Sequence, residues 1–159
     1  MLRILSFLLI FCVTTVAVAA NDVFVPVYLT TATGQGKLIG SVHITQTDYG
    51  LLFEPTLHGL TPGLHDFDIH ENASCDHYGQ AAGGDLDPFH TNKHLGPYNS
   101  HGHLGDLPKL YVASDGTANF SVLAPRILDL TELKNRTLII DANKKGDEES
   151  RIACGVIAS

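Results

Sequence analysis

Leu51-Leu52-Phe53-Glu54-Pro55-Thr56-Leu57 is followed by Gly59-Leu60-Thr61-Pro62-Gly63 and then by Leu64-His65-Asp66-Phe67-Asp68-Ile69-His70. The outer segments alternate with a period of two rather than 3.6, and the middle one is made of turn formers. Alternation of that period places successive side chains on opposite faces of a strand, so the stretch reads as strand, turn, strand. The same reading extends outward in both directions. Val23 to Leu29 is a first strand, and Leu38 to Thr45 is a second that ends at the turn Thr47-Asp48-Tyr49-Gly50. Leu110 to Val112 and Ala118 to Val122 flank Ser114-Asp115-Gly116, a hairpin signal, and Thr137 to Ile140 and Ala153 to Ile157 close the series. About eight short strands separated by turn residues, with no internal repeat, predict an all-β sandwich or barrel.

The first twenty residues belong to a different kind of segment. Arg3 is their only charge, Ile4 to Val18 is dominated by Leu, Ile, Phe and Val, and the segment closes on Ala17-Val18-Ala19-Ala20. A basic start, a short apolar run and small residues at the end are the marks of a secretory signal peptide, and the run is short for a membrane span. The expected organisation is therefore a signal peptide at 1–20 and one domain at 21–159, exported to a periplasm or to the outside, with no membrane attachment after cleavage after Ala19 or Ala20. Loss of Arg3 moves the formal charge from −7 to −8. An acidic domain without blocks of like charge is a poor partner for nucleic acid. Cys12 leaves with the signal, and Cys75 and Cys154 remain. An even pair in an oxidising compartment reads as one disulfide, the alternative being two buried thiols.

Asn72 to Pro108 interrupts the strands. It is rich in His, Gly, Asp and Pro, and five of the nine histidines lie between His77 and His103. A structureless loop of that length in a compact domain is usually functional and needs something to order it. A disulfide at Cys75 and a metal would both serve. His94, His103 and Asp106 are spaced +9 and +3, and imidazole nitrogen and carboxylate oxygen are good zinc donors. The competing reading is a set of solvated loop histidines.

Several motifs in order resemble the copper/zinc superoxide dismutases of bacteria. Gly63-Leu64-His65-Asp66-Phe67-Asp68-Ile69-His70-Glu71-Asn72-Ala73-Ser74-Cys75 resembles their copper-ligand strand, and Ala81-Ala82-Gly83-Gly84-Asp85-Leu86-Asp87-Pro88 their metal-bridging segment. His94-Leu95-Gly96-Pro97 and His103-Leu104-Gly105-Asp106-Leu107-Pro108 resemble the zinc loop. Leu123-Ala124-Pro125-Arg126 and Arg151-Ile152-Ala153-Cys154-Gly155-Val156-Ile157 resemble the later landmarks. The resemblance implies a Greek-key β-sandwich with a long loop ordered by metal and disulfide. It also implies one zinc per chain on His94, His103, Asp106 and Asp85.

The resemblance also shows where the chain departs. The family holds copper with four histidines. The first is Asp68 here, the second survives as His70, the third, which bridges to zinc, is Asp85, and the fourth is Asp141. Imidazole suits copper, whereas carboxylate suits harder ions. The expectation is a metal-binding protein without copper-dependent dismutase activity. The alternative is a dismutase, or another redox enzyme acting on superoxide, at a carboxylate-rich site holding another metal. Asp68 and His70 share a strand face, and if the fold is right Asp85 and Asp141 converge with them. Whether that site binds a cation or is lost stays open. Arg151 matches the residue that guides the anion in the family, and it equally suits a packing role near the disulfide. The family's guiding loop is reduced to twelve residues between Asp141 and Cys154. Asp141-Ala142-Asn143-Lys144-Lys145-Gly146-Asp147 is not an EF-hand: its twelfth position is Ile152 and its flanks are strands. Metal ions are the expected partners, and a homodimer remains open.

Overall fold

The computed structural model describes residues 21–142 and 150–158; the expected signal peptide lies outside the described residues. Nine strands run in chain order: β1 (Asp22–Thr31), β2 (Gly34–Thr47), β3 (Gly50–Leu57), β4 (Gly63–His65), β5 (Phe67–His70), β6 (Leu110–Val112), β7 (Val122–Ala124), β8 (Arg136–Asp141) and β9 (Arg151–Ile157). Seven form one curled antiparallel sheet in the order β5-β8-β9-β1-β2-β3-β7, and β4 pairs with β6 in a second, small sheet. The all-β architecture is as expected from the alternation.

The period of two explains which faces are buried. Val25 and Val27 of β1 are fully buried while Phe24, on the opposite face of the strand, is 65% exposed. Ile39, Val42 and Ile44 of β2, Leu51 and Phe53 of β3, and Leu110 and Val112 of β6 join them in one core, so the small sheet packs onto the large one. A fully buried side chain of this kind contributes about 1.5–3 kcal/mol of transfer free energy. The turn Thr47-Asp48-Tyr49-Gly50 is closed by the Thr47 hydroxyl, which donates to the Gly50 carbonyl and accepts from the Tyr49 N–H.

Two strand expectations are corrected. Leu64 to His70 is not one strand. Its first half pairs with β6, and its second half crosses to β8 in the large sheet. Asp66 is the crossing point: its carbonyl accepts the Asp141 N–H at 3.0 Å, while its carboxylate pairs with Lys109. The turn at Ser114-Asp115-Gly116 forms, with Gly116 at φ +82° and the Ala113 N–H donating to the Thr117 carbonyl. The chain beyond it leaves β6, however. Ala118 pairs with Leu57, and Val122–Ala124 pairs with Leu51–Phe53 as the last strand of the large sheet.

The long segment between β5 and β6 is tied down at both ends. Cys75 is disulfide-bonded to Cys154 of β9, and the two sit with Ala82 and Ile139 in a small apolar cluster of their own. Leu86, Leu104 and Leu107 instead enter the main core.

Candidate metal centre

Strand β5 organises the site. Leu86 N–H donates to the Ile69 carbonyl, Ile69 N–H to the Gly105 carbonyl, and Gly105 N–H to the Leu86 carbonyl, all within 2.8–2.9 Å. Isolated bridges pair Asp68 with Asp106 and His70 with Asp85. Two pieces of loop are thus laid against the strand as if they were its neighbours. Gly105 is required there, because a Cβ would lie 2.2 Å from the Ile69 carbonyl oxygen. The sequence adds a second device: Asp85, His103 and Asp106 are each followed by a leucine that is buried, so core packing fixes the backbone beneath each side chain.

These constraints bring four side chains together. Asp85, His94, His103 and Asp106 each offer one ligand atom, all within 4.8 Å of one another; among the described residues they are the one such group. Asp85 Oδ2 lies 2.9 Å from His103 Nδ1 and 3.1 Å from His94 Nδ1, and Asp106 Oδ1 lies 3.4 Å from His103 Nδ1 and 3.1 Å from His94 Nδ1. Donors about 2.0–2.1 Å from a tetrahedral ion such as zinc stand about 3.3 Å apart, close to the four His–Asp separations. Asp106 Oδ2 accepts N–H bonds from Leu95 and Gly96 at 2.9 and 2.7 Å. Its Oδ1 is buried and is left to the two histidine nitrogens, with no hydrogen bond of good geometry among the described residues.

The electrostatics follow from this crowding. The Asp106 carboxylate first, and Asp85 second, hold the His94 imidazole up to about 11 against the opposing effect of burial. Burial acts to raise Asp85, but hydrogen bonds from His94 and His103 and the charge of His70 outweigh it and leave the carboxyl lowered. Asp68 goes the other way: burial, then the charges of Asp85 and Asp106, push it well above the usual carboxylate range. Leu107 N–H donates to its Oδ1 at 3.4 Å.

The structure places the other expected site residues as follows. His70 is buried; its Nδ1 donates to the Gly83 carbonyl at 3.0 Å and its Nε2 lies 3.3 Å from Asp85 Oδ1. Asp141 is buried at the end of β8, and its carbonyl accepts a 2.6 Å bond from His65 Nδ1. Asp68, His70 and Asp141 do not join a group of ligand atoms as close as the four above. Arg151 is buried and donates to the Gly79 and Gly83 carbonyls, both at 2.8 Å, so it braces the disulfide segment. Sequence reasoning missed two contributors. Arg126, read in the sequence only as the end of the Leu123-Ala124-Pro125-Arg126 landmark, donates to the carbonyls of His103 and Gly102 and so holds that histidine's backbone; no spacing announces this role. The ligand-then-leucine pairs at 85–86, 103–104 and 106–107 were a readable signal.

A curled antiparallel sheet with an attached His/Asp metal group is the architecture of the copper/zinc superoxide dismutases, and the chain belongs to that family, whose sequence pattern it matches over residues 38–157. It is 44% identical over 160 aligned residues to superoxide dismutase [Cu-Zn] 1 of Salmonella typhimurium, with 89% of each chain covered. Among solved structures it is similar to the Cu/Zn superoxide dismutase from Brucella abortus (TM-score 0.77, 39% identity, 86% of this chain and 99% of that one). It is also similar to a SOD-like protein from Bacillus subtilis (TM-score 0.66, 30% identity, 84% and 96%).

Proposed function

We propose that this is an exported, zinc-binding member of the family that does not carry out copper-dependent superoxide dismutation. The observation that carries the reading is the contrast between two neighbouring donor sets. Asp85, His94, His103 and Asp106 converge with spacings that suit zinc. The positions that the family resemblance assigns to copper hold Asp68, Asp85 and Asp141, with His70 the one imidazole. Oxygen donors of that kind suit harder ions and do not fit copper, which cycles between two oxidation states. Zinc bound here would order the segment from Asn72 to Pro108 and would bind the folded chain only, so it stabilises by mass action. Arg151 serves this reading as a brace rather than as a guide for anions. Export is supported by the pattern of residues 1–20.

A second reading, dismutation at another metal, draws support from 44% identity to a dismutase over most of the chain. Metal analysis of protein produced in metal-replete medium, paired with a dismutase assay, separates the two. The expected result is one zinc, no stoichiometric copper and negligible activity. Asp68→His, Asp85→His, Asp141→His together should restore copper binding and only part of the activity. Stoichiometric copper with rapid dismutation in the wild type would overturn the proposal.

A further inference from the structure

The four donors of the metal group are not held alike. The side chains of Asp106, Asp85 and His103 are 0%, 13% and 17% exposed, whereas that of His94 is 50% exposed. The residues that follow them repeat the contrast. Leu86, Leu104 and Leu107 are buried in the main core, and Leu95, which follows His94, is 47% exposed. The turn that carries His94 hangs instead on two of the other donors. The His103 N–H donates to the Lys93 carbonyl, and the Leu95 and Gly96 N–H groups donate to Asp106 Oδ2. Three donors thus rest on the core, and the fourth rests on two of the three.

We propose that His94 is the latch of the site. Asp85, His103 and Asp106 form a platform able to hold the ion without it, and metal enters and leaves on the His94 side, where an outside ligand such as water or imidazole can take its place. The proposal rests on the zinc reading above and names the face through which such a protein would exchange its ion. Three protein donors with water in the fourth position are a stable arrangement for zinc. Water and small ligands reach the place of a half-exposed side chain, and they do not reach that of an enclosed one. Ordering an exposed side chain also costs entropy that an enclosed one has already lost on folding. His94 is therefore the donor whose loss weakens binding least and whose release comes first. His103, with its carbonyl held by Arg126 and Leu104 buried after it, belongs to the platform.

The test compares the two histidines, one proposed as latch and one as platform. Zinc affinity of His94→Gly and His103→Gly is measured by chelator competition, and Co²⁺ is loaded as a spectroscopic probe of the ligand set. His94→Gly should keep one zinc per chain and bind it about tenfold more tightly than His103→Gly, a gap of the size set by ordering one side chain. Free imidazole should restore the wild-type Co²⁺ spectrum to His94→Gly and leave that of His103→Gly unchanged. Melting of the metal-free chains controls for folding. If either glycine variant does not melt cooperatively, His94→Gln and His103→Gln, which keep side-chain bulk, should show the same order of affinity. An equal or reversed order overturns the proposal alone, as does imidazole that fails to restore His94→Gly or restores both variants equally. A wild type that takes up no zinc overturns the zinc reading and this proposal with it.

Discussion

At the scale of single residues, the proposed zinc site would be a contest between protons and the metal. In the metal-free chain the Asp106 and Asp85 carboxylates hold His94 in its protonated form up to about 11. Zinc takes only the neutral ring, so it must displace that proton. Between 6.5 and about 11 the apparent zinc affinity should rise about tenfold per pH unit for this one group. The stability of the metal-free fold should run the opposite way. A histidine raised in the folded state contributes fully below 6.5, and the contribution is lost as pH rises toward about 11. Asp68, also raised, likewise contributes below its ordinary 3.8 and loses that contribution with rising pH. The gap in melting temperature between zinc-loaded and metal-free protein should therefore widen from pH 6 to pH 9, as calorimetry would read it. A gap that is constant or narrows removes His94 from the zinc ligands. His94, His103 and Asp106 stand out in the sequence because donor spacing in a polar loop is a local property. The leaning of Asp68 toward Asp85 and Asp106 is not local: it follows from β5 lying between two pieces of loop distant in the chain.

At the scale of elements, the site depends on how closely the loop lies on β5. Gly105 is the tightest point, and its Cα hydrogen faces the Ile69 carbonyl. In Gly105→Ala the new methyl group would sit 2.2 Å from that oxygen, and neither backbone can yield without breaking the three hydrogen bonds that join Leu86, Ile69 and Gly105. The substitution should cost about 1–3 kcal/mol in urea unfolding, the usual range for overpacking. It should also weaken zinc binding, because Asp106 and Asp85 sit next to the displaced residues. Full stability with unchanged zinc affinity would mean that the loop is not held to β5 in this way. Most elements were legible from alternation because one face of each strand is buried. The exceptions have a common cause. Leu64 to His70 alternates throughout, yet Asp66 hands the chain from the small sheet to the large one. Val122–Ala124 pairs with β3, not with β6, its near neighbour in sequence. Alternation reports that a residue run is extended, and it carries no record of which partner the run will find.

At the scale of the whole molecule, the disulfide and the metal group secure the same long segment by different means. Cys75 and Cys154 are 79 positions apart, and a loop of that length restricts the unfolded chain by about 4–5 kcal/mol in the chain-entropy account. Zinc, on the proposed reading, would act on the folded state instead, by the factor its concentration exceeds its dissociation constant. The two lie in separate apolar surroundings, the cystine with Ala82 and Ile139 and the metal loop on Leu86, Leu104 and Leu107 in the main core. Between them, Gly79 and Gly83 are held by Arg151, and Gly83 also by His70, none of which needs the S–S bond. Reduction should therefore lower stability without dismantling the metal group. Urea unfolding of four forms, oxidised or Cys75→Ser/Cys154→Ser and with or without zinc, should give increments that add to within about 0.5 kcal/mol. The zinc increment should survive the loss of both sulfurs. If it vanishes in the double Ser variant, the disulfide shapes the folded site itself, and the bracing assigned to Arg151 is insufficient to hold it.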